Sequence, residues 1–155
     1  MVQGLARTSC SPANRVALAA AGTIYQGKEG RIMDWKLELV MVPVSDVDRA
    51  KAFYVEKVGF HADYDQRVSE ELRFVQLTPP GSACSIAFGE GITDATPGSV
   101  PGLQMVVSDI HAAHAELAGR GVDVSEVQQL AWGSFVYFSD PDGNPWSVQQ
   151  LPPRG

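Results

Sequence analysis

The side chains that could carry acid–base or nucleophilic chemistry are few and scattered. Among the three histidines, His111 and His114 lie three residues apart on a predicted helix and could share a metal ion. No third donor accompanies them, and polar residues are ordinary in the first turn of a surface helix. His61 begins a predicted strand, followed by Tyr64, and each could act at a cleft rim or simply face solvent. Cys84 precedes an apolar strand with no histidine near it in sequence, which favours a core role over a nucleophile.

Acidic and aromatic side chains provide a second, weaker signal. Four acidic residues lie along a predicted strand pair and its loop, namely Asp63, Asp65, Glu70 and Glu71. They are either ordinary solvated charges or an acidic rim for a cationic ligand. Trp132 precedes a predicted strand, where it either packs against the protein or stacks on a flat ligand at the mouth of a cleft.

Composition restricts the class of protein. The chain has 155 residues, 45% of them hydrophobic and 19% charged, which suits a sizeable core in one domain or two small halves. The net charge of −6, without a basic cluster, argues against a nucleic-acid partner. The longest apolar run, residues 39–44, is far shorter than the about 20 residues of a membrane span. Cys10 and Cys84 lie in unlike contexts, so we predict a cytoplasmic protein without a disulfide scaffold.

Residues 1–33 are predicted to form an N-terminal extension, either a leader or a disordered segment. They show neither strand nor helix periodicity, and their one apolar stretch, residues 16–21, is too short for a signal peptide. Met33 directly precedes the first strong strand pattern. We hypothesise that Met33 is the natural start, which detection of Met1 in protein from the native host would reject.

Residues 34–152 are predicted to form one domain in which the same succession of elements occurs twice. Each copy begins with an apolar strand that ends in a Ser-Asp pair, and Asp46 and Asp109 are good N-caps for the helices that follow. Three strands follow each helix, so the pattern is βαβββ twice rather than the βαββαβ of a ferredoxin-like fold. The predicted strands are 37–44, 60–65, 72–78, 84–88, 103–107, 122–127, 135–138 and 146–151, the helices are 47–58 and 110–118, and a linker at 89–101 separates modules 34–88 and 102–152.

Motifs within these modules point to a known superfamily. The first module carries Val42-Pro-Val-Ser-Asp46, Ala52-Phe-Tyr54 and Val58-Gly-Phe60. The second carries Val107-Ser-Asp109 and Phe138-Ser-Asp-Pro-Asp-Gly-Asn144. With the doubled βαβββ pattern, they resemble the vicinal oxygen chelate superfamily of glyoxalase I, bleomycin-resistance proteins and extradiol dioxygenases. The resemblance implies an α+β fold in which two βαβββ half-barrels enclose a ligand cleft, and a homodimer as the usual state.

Strand alternation predicts which side chains face that cleft. Successive side chains in a strand point to opposite faces, and the face that meets the helix must be apolar. A register slip of one residue would invert any one strand. The predicted ligand-binding residues are Leu39, Met41, Phe74, Gln76, Ser85, Ala87, Gln104, Trp132, Val136, Phe138, Ser147 and Gln149, with Val106 and Ser134 beside them.

The resemblance also implies where metal ligands would lie. In the metal-dependent members, ligands come from four strand positions, which fall here on Leu39, Ala87, Gly102 and Ser147. The first three cannot bind a divalent metal, and a lone serine is a poor ligand. We therefore predict neither a metal nor another cofactor. This argues against glyoxalase I and extradiol dioxygenase activity, because both need the metal to polarise an oxygen.

Three functions are compatible with this sequence. The leading hypothesis is metal-independent binding of a small neutral or cationic organic ligand, as in the drug-sequestering proteins that the chain resembles. An apolar cleft with a few amides and hydroxyls is typical of such a site. The second is a lyase, isomerase or dioxygenase-like enzyme that uses rim residues such as His61 or Tyr64, or a non-standard metal site. The third is a non-catalytic dimeric module, whose cleft Met41, Phe74 and Phe138 would close.

Overall fold

The computed structural model describes residues 33–154. The predicted N-terminal extension, apart from Met33, lies outside the described residues, so the leader hypothesis stays a prediction. All the helices and strands below lie in a unit that begins at Leu37. Neither helix in residues 33–154 has the length and apolar character needed to cross a bilayer.

The described residues form two βαβββ modules, which confirms the predicted fold class. In each module the helix follows the first strand and precedes the other three. The helices are α1 (Val47–Ala52), which continues as a π helix (Phe53–Val58), and α2 (Ile110–Gly119). The strands are β1 (Leu39–Met41), β2 (His61–Arg67), β3 (Arg73–Thr78), β4 (Ser85–Glu90), β5 (Leu103–Val106), β6 (Gln128–Leu130), β7 (Gly133–Ser139) and β8 (Pro145–Gln150).

The two sheets have the same topology. Their strand orders are β1-β4-β3-β2 and β5-β8-β7-β6. The first strand of each module therefore lies at a sheet edge and pairs in parallel with the last, whereas the other pairs are antiparallel. The repeated pattern in the sequence thus corresponds to a repeated sheet.

Both helices begin at the predicted aspartates. Asp46 accepts a hydrogen bond from the backbone N–H of Arg49, and Asp109 accepts from two backbone N–H groups at the start of α2. The first helix differs from the prediction after Ala52, where it widens to π geometry. There the N–H groups of Gly59 and Phe60 both donate to the Tyr54 carbonyl oxygen, at 2.9 and 2.8 Å.

The core of the described region is shared by both modules. The Tyr54 ring, on the π helix, lies 5.9 Å from the Trp146 ring on β8, and Phe60 lies 5.7 Å from the same indole. Phe53 and Phe138 add a further contact between the modules, at 6.3 Å. We call the face of each sheet that contributes to this core the helix face, and the opposite face the open face. The helix-face strand residues of the core are Val75, Leu77, Ile86, Phe88, Val136, Phe138, Trp146 and Val148.

The orientation predicted for β7 was wrong. Val136 pairs with Val148 and Phe138 with Trp146, so Ser134, Val136 and Phe138 point to the helix face. The cause is Asn144, which belongs to the hairpin loop rather than to β8. Its backbone N–H donates to Asp140 Oδ1 at 2.9 Å and its buried amide donates to the carbonyl oxygen of Pro43 at 2.9 Å. The motif Asp140-Pro-Asp-Gly143 predicts a turn of four residues, whereas residues 140–144 form a loop of five. The extra residue shifts the register by one, which inverts the strand.

The strand predicted at 122–127 was also misplaced. The strand that pairs with β7 is Gln128–Leu130, whereas Val122, Val124 and Val127 pack against the core without strand pairing. Ser125 replaces part of the ladder, because its hydroxyl accepts from the backbone N–H of Tyr137 at 2.9 Å. The apolar residues there indicate burial, which an irregular segment can also provide.

Candidate functional site

The open face of the first sheet brings together most of the site residues predicted in the first module. Leu39 pairs with Ser85, and Met41 with Ala87, which in turn pairs with Gln76. Phe74 lies two residues before Gln76 on the same face of β3. The side chains on this face that the sequence singled out are Leu39, Met41, Phe74, Gln76, Ser85 and Ala87.

A bulge in β2 adds His61 and Tyr64 to this face. His61 pairs with Thr78 and Tyr64 with Gln76, although a regular strand would place residues three apart on opposite faces. The register shifts between Ala62 and Tyr64, so Asp63 is the additional residue. Alternation could not reveal this arrangement, because nothing in the sequence around Asp63 marks a bulge.

Four polar side chains on this face form a hydrogen-bonded chain that ends on Asp63. Gln76 Nε2 donates to Ser85 Oγ at 3.2 Å, and the hydroxyls of Ser85 and Thr78 lie 2.7 Å apart. Thr78 donates in turn to Asp63 Oδ2. Because the Thr78 proton is committed to the carboxylate, Ser85 must be the donor to Thr78. The hydrogen bond from Thr78 lowers the pKa of Asp63 below its usual value, so the chain ends on a negative charge.

His61 approaches the same carboxylate from the other side. Its Nδ1 lies 3.1 Å from Asp63 Oδ1. A neutral imidazole that donates from Nδ1 keeps Nε2 available as an acceptor. The pair therefore has the geometry of a base with an orienting carboxylate.

The open face of the second sheet carries an amide network. Gln104 pairs with Ser147, and Val106 with Gln149. Gln104 Nε2 donates to Gln149 Oε1 at 2.6 Å, and Ser147 Oγ lies 3.3 Å from Gln104 Oε1. These contacts fix the orientation of both amides.

The amide network continues to the turn between β6 and β7. Gln149 Nε2 donates to the carbonyl oxygen of Trp132 at 2.7 Å, while the Trp132 residue itself is 62% exposed. Gly133 allows this approach, because a Cβ atom there would lie 3.1 Å from Gln149 Nε2. The network thus fixes the backbone of the turn that carries the exposed Trp132.

The aromatic residues that complete this face were missed by the sequence analysis. Phe135 pairs with Gln149 and Tyr137 with Ser147, and the two rings stack 6.0 Å apart and nearly parallel. They occupy the face predicted for Val136 and Phe138. A prediction of five loop residues between β7 and β8 would have placed Phe135 and Tyr137 on this face.

The positions that correspond to metal ligands carry no strong donor. Leu39 and Ala87 lie on the first open face, Ser147 lies on the second, and Gly102 directly precedes β5. Within residues 33–154, no group of three or more His, Cys, Asp or Glu side chains converges as a metal site would require.

A cavity of about 580 Å³ lies between the modules, and the hydroxyl chain and the amide network each contribute one residue to its lining. Its walls include helix-face strand residues, among them Val40, Met105, Trp146 and Val148, together with the turn at residues 79–82 and Leu117 from α2. Ser85, Gln104 and Val106 border it as well. The fixed polar groups that could orient a ligand lie mostly on the open faces.

Comparison with known proteins identifies the family. Residues 36–148 match the family model of the Glyoxalase/Bleomycin resistance protein/Dioxygenase superfamily. The crystal structure of TnmS3, an antibiotic binding protein from Streptomyces sp. CB03234, is similar with a TM-score of 0.71 and 37% identity, over 79% of this chain and 100% of that one. A glyoxalase/bleomycin resistance protein from Streptomyces sp. CB03234 is 39% identical with a TM-score of 0.66, over 74% and 100% of the chains. The uncharacterized protein YetH of Bacillus subtilis (strain 168) is 27% identical over 113 residues, 72% of this chain and 94% of YetH. The chain belongs to the glyoxalase/bleomycin resistance protein/dioxygenase superfamily.

Proposed function

We propose that this protein binds a small organic ligand on the open faces of its sheets without a metal ion. The observation that carries the proposal is the network of amides and hydroxyls beside the metal-ligand positions of the superfamily. Leu39 pairs with Ser85, Ala87 with Gln76, and Ser147 with Gln104. Amides and hydroxyls held in fixed orientations can recognise a ligand, but they are not a set of ligands for a divalent cation.

Two further observations support a small-molecule ligand. Aromatic surface accompanies the polar network, because Phe74 and Tyr137 lie on the open faces and the exposed Trp132 lies in the turn that Gln149 contacts. A few oriented polar groups within an apolar and aromatic surface are typical of a binding site for an organic molecule. The similarity to TnmS3, an antibiotic binding protein, suggests an antibiotic or a related natural product as the ligand.

We further propose that the protein acts as a homodimer in the cytoplasm. The helix faces of both modules are already buried in the shared core, whereas Val106 on the open face is 59% exposed and Met41 is 36% exposed. Both residues lie on edge strands, β5 and β1, which offer backbone groups and apolar side chains to another chain. A second copy would cover these edges and enclose a ligand between open faces.

An enzyme is the second candidate, and the observation that favours it is the His61–Asp63 pair. The two side chains lie 3.1 Å apart on the open face, with Tyr64 beside them. This arrangement suits general acid–base catalysis if a substrate places a transferable proton near His61 Nε2. Substrate turnover that His61→Ala abolishes, with ligand binding retained, would favour the enzyme over the binder.

Ligand binding tests the leading proposal. A panel of polycyclic aromatic antibiotics would be screened by thermal shift, and the dissociation constants of the hits measured by calorimetry. Tyr137→Ala removes an open-face ring and is expected to weaken binding about tenfold or more, since a buried aromatic contact contributes about 1–3 kcal/mol. Leu151→Ala is the matched control, because Leu151 is a similarly exposed apolar residue outside the strands.

A third variant tests whether the ligand binds on the open faces or in the cavity between the modules. Ala113 lines that cavity and belongs to α2. Ala113→Leu reduces the cavity volume but leaves the open faces intact, so the proposal predicts unchanged affinity. Loss of binding in Ala113→Leu, with Tyr137→Ala unaffected, would place the ligand in the cavity and reject the open-face site.

A further inference from the structure

Asp63 is the one carboxylate among the strand residues on the open faces of the two described sheets. The other acidic residue of β2, Asp65, pairs with Val75 and therefore lies on the helix face. The open-face residues of β2 are His61, Asp63, Tyr64 and Gln66, and those of the other strands are neutral. A lone negative charge beside an amide and aromatic surface determines which ligand charge this surface prefers.

The bulge in β2 holds Asp63 in place with acceptor capacity to spare. Thr78 donates to one carboxylate oxygen and His61 lies within hydrogen-bond distance of the other. A carboxylate has about four acceptor sites, so roughly two remain for a further donor. The side chain is 27% exposed, which leaves it accessible from the open face.

The nearest strong cations engage a different carboxylate. Lys51 Nζ lies 2.7 Å from Asp65, and Arg73 forms two hydrogen bonds of 2.9 Å with it, all on the helix face. The one ionisable group that contacts Asp63 is His61, which is charged only when protonated. The Asp63 charge is therefore not neutralised by a permanent cation in the described structure.

We infer that Asp63 binds the positively charged nitrogen of a cationic organic ligand, such as a protonated amine, on the open face of the first sheet. This inference rests on the proposed function and specifies the class of ligand for the same site. The carboxylate accepts the N–H of the ligand as a charge-assisted hydrogen bond, which is about twice as strong as a neutral one. Tyr64, 57% exposed on the same face, offers an aromatic ring to the same cation.

Two planar probes of similar shape test the inference. Proflavine is a cation at neutral pH, and acridone is a neutral tricyclic compound of the same outline. Their affinities for the full chain, and for Asp63→Asn, would be measured by fluorescence titration. Asp63→Asn is expected to weaken proflavine binding about tenfold, as for a hydrogen bond to a charged group, and to change acridone binding less than about threefold. The matched control is Asp123→Asn, which removes the same charge from an exposed residue of the second module.

Each outcome distinguishes the inference from the proposed function. Equal affinity for both probes, with no effect of Asp63→Asn, overturns the inference and leaves the binding function intact. Absence of binding for both probes overturns the inference, and an antibiotic panel without a hit would overturn the binding proposal as well. Should Asp63→Asn fail to fold, the wild-type protein still decides: added salt must weaken the binding of proflavine and not that of acridone, because ion pairing is screened by salt.

Discussion

The hydroxyl of Tyr54 donates a hydrogen bond to Asp140 Oδ2 at 2.8 Å and accepts one from Trp146 Nε1 at 3.0 Å. These bonds join the π helix of the first module to the hairpin and last strand of the second. Burial, together with the charge of Asp140, raises the pKa of Tyr54 above its ordinary value, so the hydroxyl keeps its proton and remains a donor. The junction holds the two sheets, and hence their open faces, in a fixed relation.

Removal of the Tyr54 hydroxyl should weaken this junction. Tyr54→Phe keeps the buried ring but removes one hydrogen bond to Asp140 and leaves the buried Trp146 Nε1–H without its acceptor. We expect the free energy of unfolding to fall by about 1–3 kcal/mol, the usual cost of an unsatisfied buried polar group. Urea unfolding would measure it, with Tyr64→Phe as the exposed control. An unchanged midpoint for Tyr54→Phe would contradict a structural role for this bond.

The orientation of β7 predicts opposite effects for two neighbouring aromatic residues. Phe138→Ala should lower the free energy of unfolding by about 3–5 kcal/mol, because Phe138 belongs to the core. Tyr137→Ala should cost about 1 kcal/mol or less, since its side chain is partly exposed on the open face, yet it should weaken ligand binding. Thermal unfolding with calorimetric titration measures both effects. If the reverse pattern were observed, the strand would have the orientation first predicted from the sequence.

The ion pairs of Asp65 predict how stability depends on pH. The hydrogen bonds from Arg73, and then from Lys51, hold the pKa of Asp65 far below its usual value. A depressed folded pKa contributes stability above the unfolded pKa of about 3.9, and this contribution is lost as the pH falls further. Asp65→Asn should therefore lose about 1 kcal/mol near neutral pH and should approach the wild type in acid. Urea unfolding across the acid range would reveal the convergence. A stability difference independent of pH would mean that the Asp65 charge is not responsible.

Two glycines with positive φ allow the effect of backbone strain to be distinguished from the effect of a close contact with another strand. Gly133 has φ +136°, and a Cβ atom there would lie 2.4 Å from the carbonyl oxygen of Gln150. Gly81 has φ +78° but nothing within 4 Å of that position. We expect Gly133→Ala to lower the free energy of unfolding by about 2–3 kcal/mol and Gly81→Ala by about 1 kcal/mol. Equal losses in thermal unfolding would show that the contact with β8 is not important.

The parts of the fold that sequence reasoning predicted depend on local signals. Asp46 and Asp109 mark the helix starts because an N-cap is a property of a few neighbouring residues. The faces of β4 and β8 follow from alternation, because each strand has large apolar residues on its helix face. For this reason Ser85 and Gln149 were placed on the faces where the structure has them.

The features of the fold and the site that sequence reasoning missed depend on contacts between distant residues. Asn144 lies in the hairpin loop and not in β8, because its amide donates a hydrogen bond to the carbonyl oxygen of Pro43 in the other module. The bulge at Asp63 is accompanied by hydrogen bonds to Thr78 and His61, which no local pattern reveals. Loop length and bulges set the register, and one residue of register decides which side chains reach the site.

Native mass spectrometry of the protein, purified without chelator and incubated with Ni²⁺, Zn²⁺ or Mn²⁺ and an aromatic antibiotic selected by thermal shift, tests the metal-free site most directly. It reports the number of chains, the bound organic molecule and any bound metal together. We expect a dimer that carries the antibiotic and no stoichiometric metal ion. One metal ion retained per protomer, and required for the antibiotic to bind, would contradict the account.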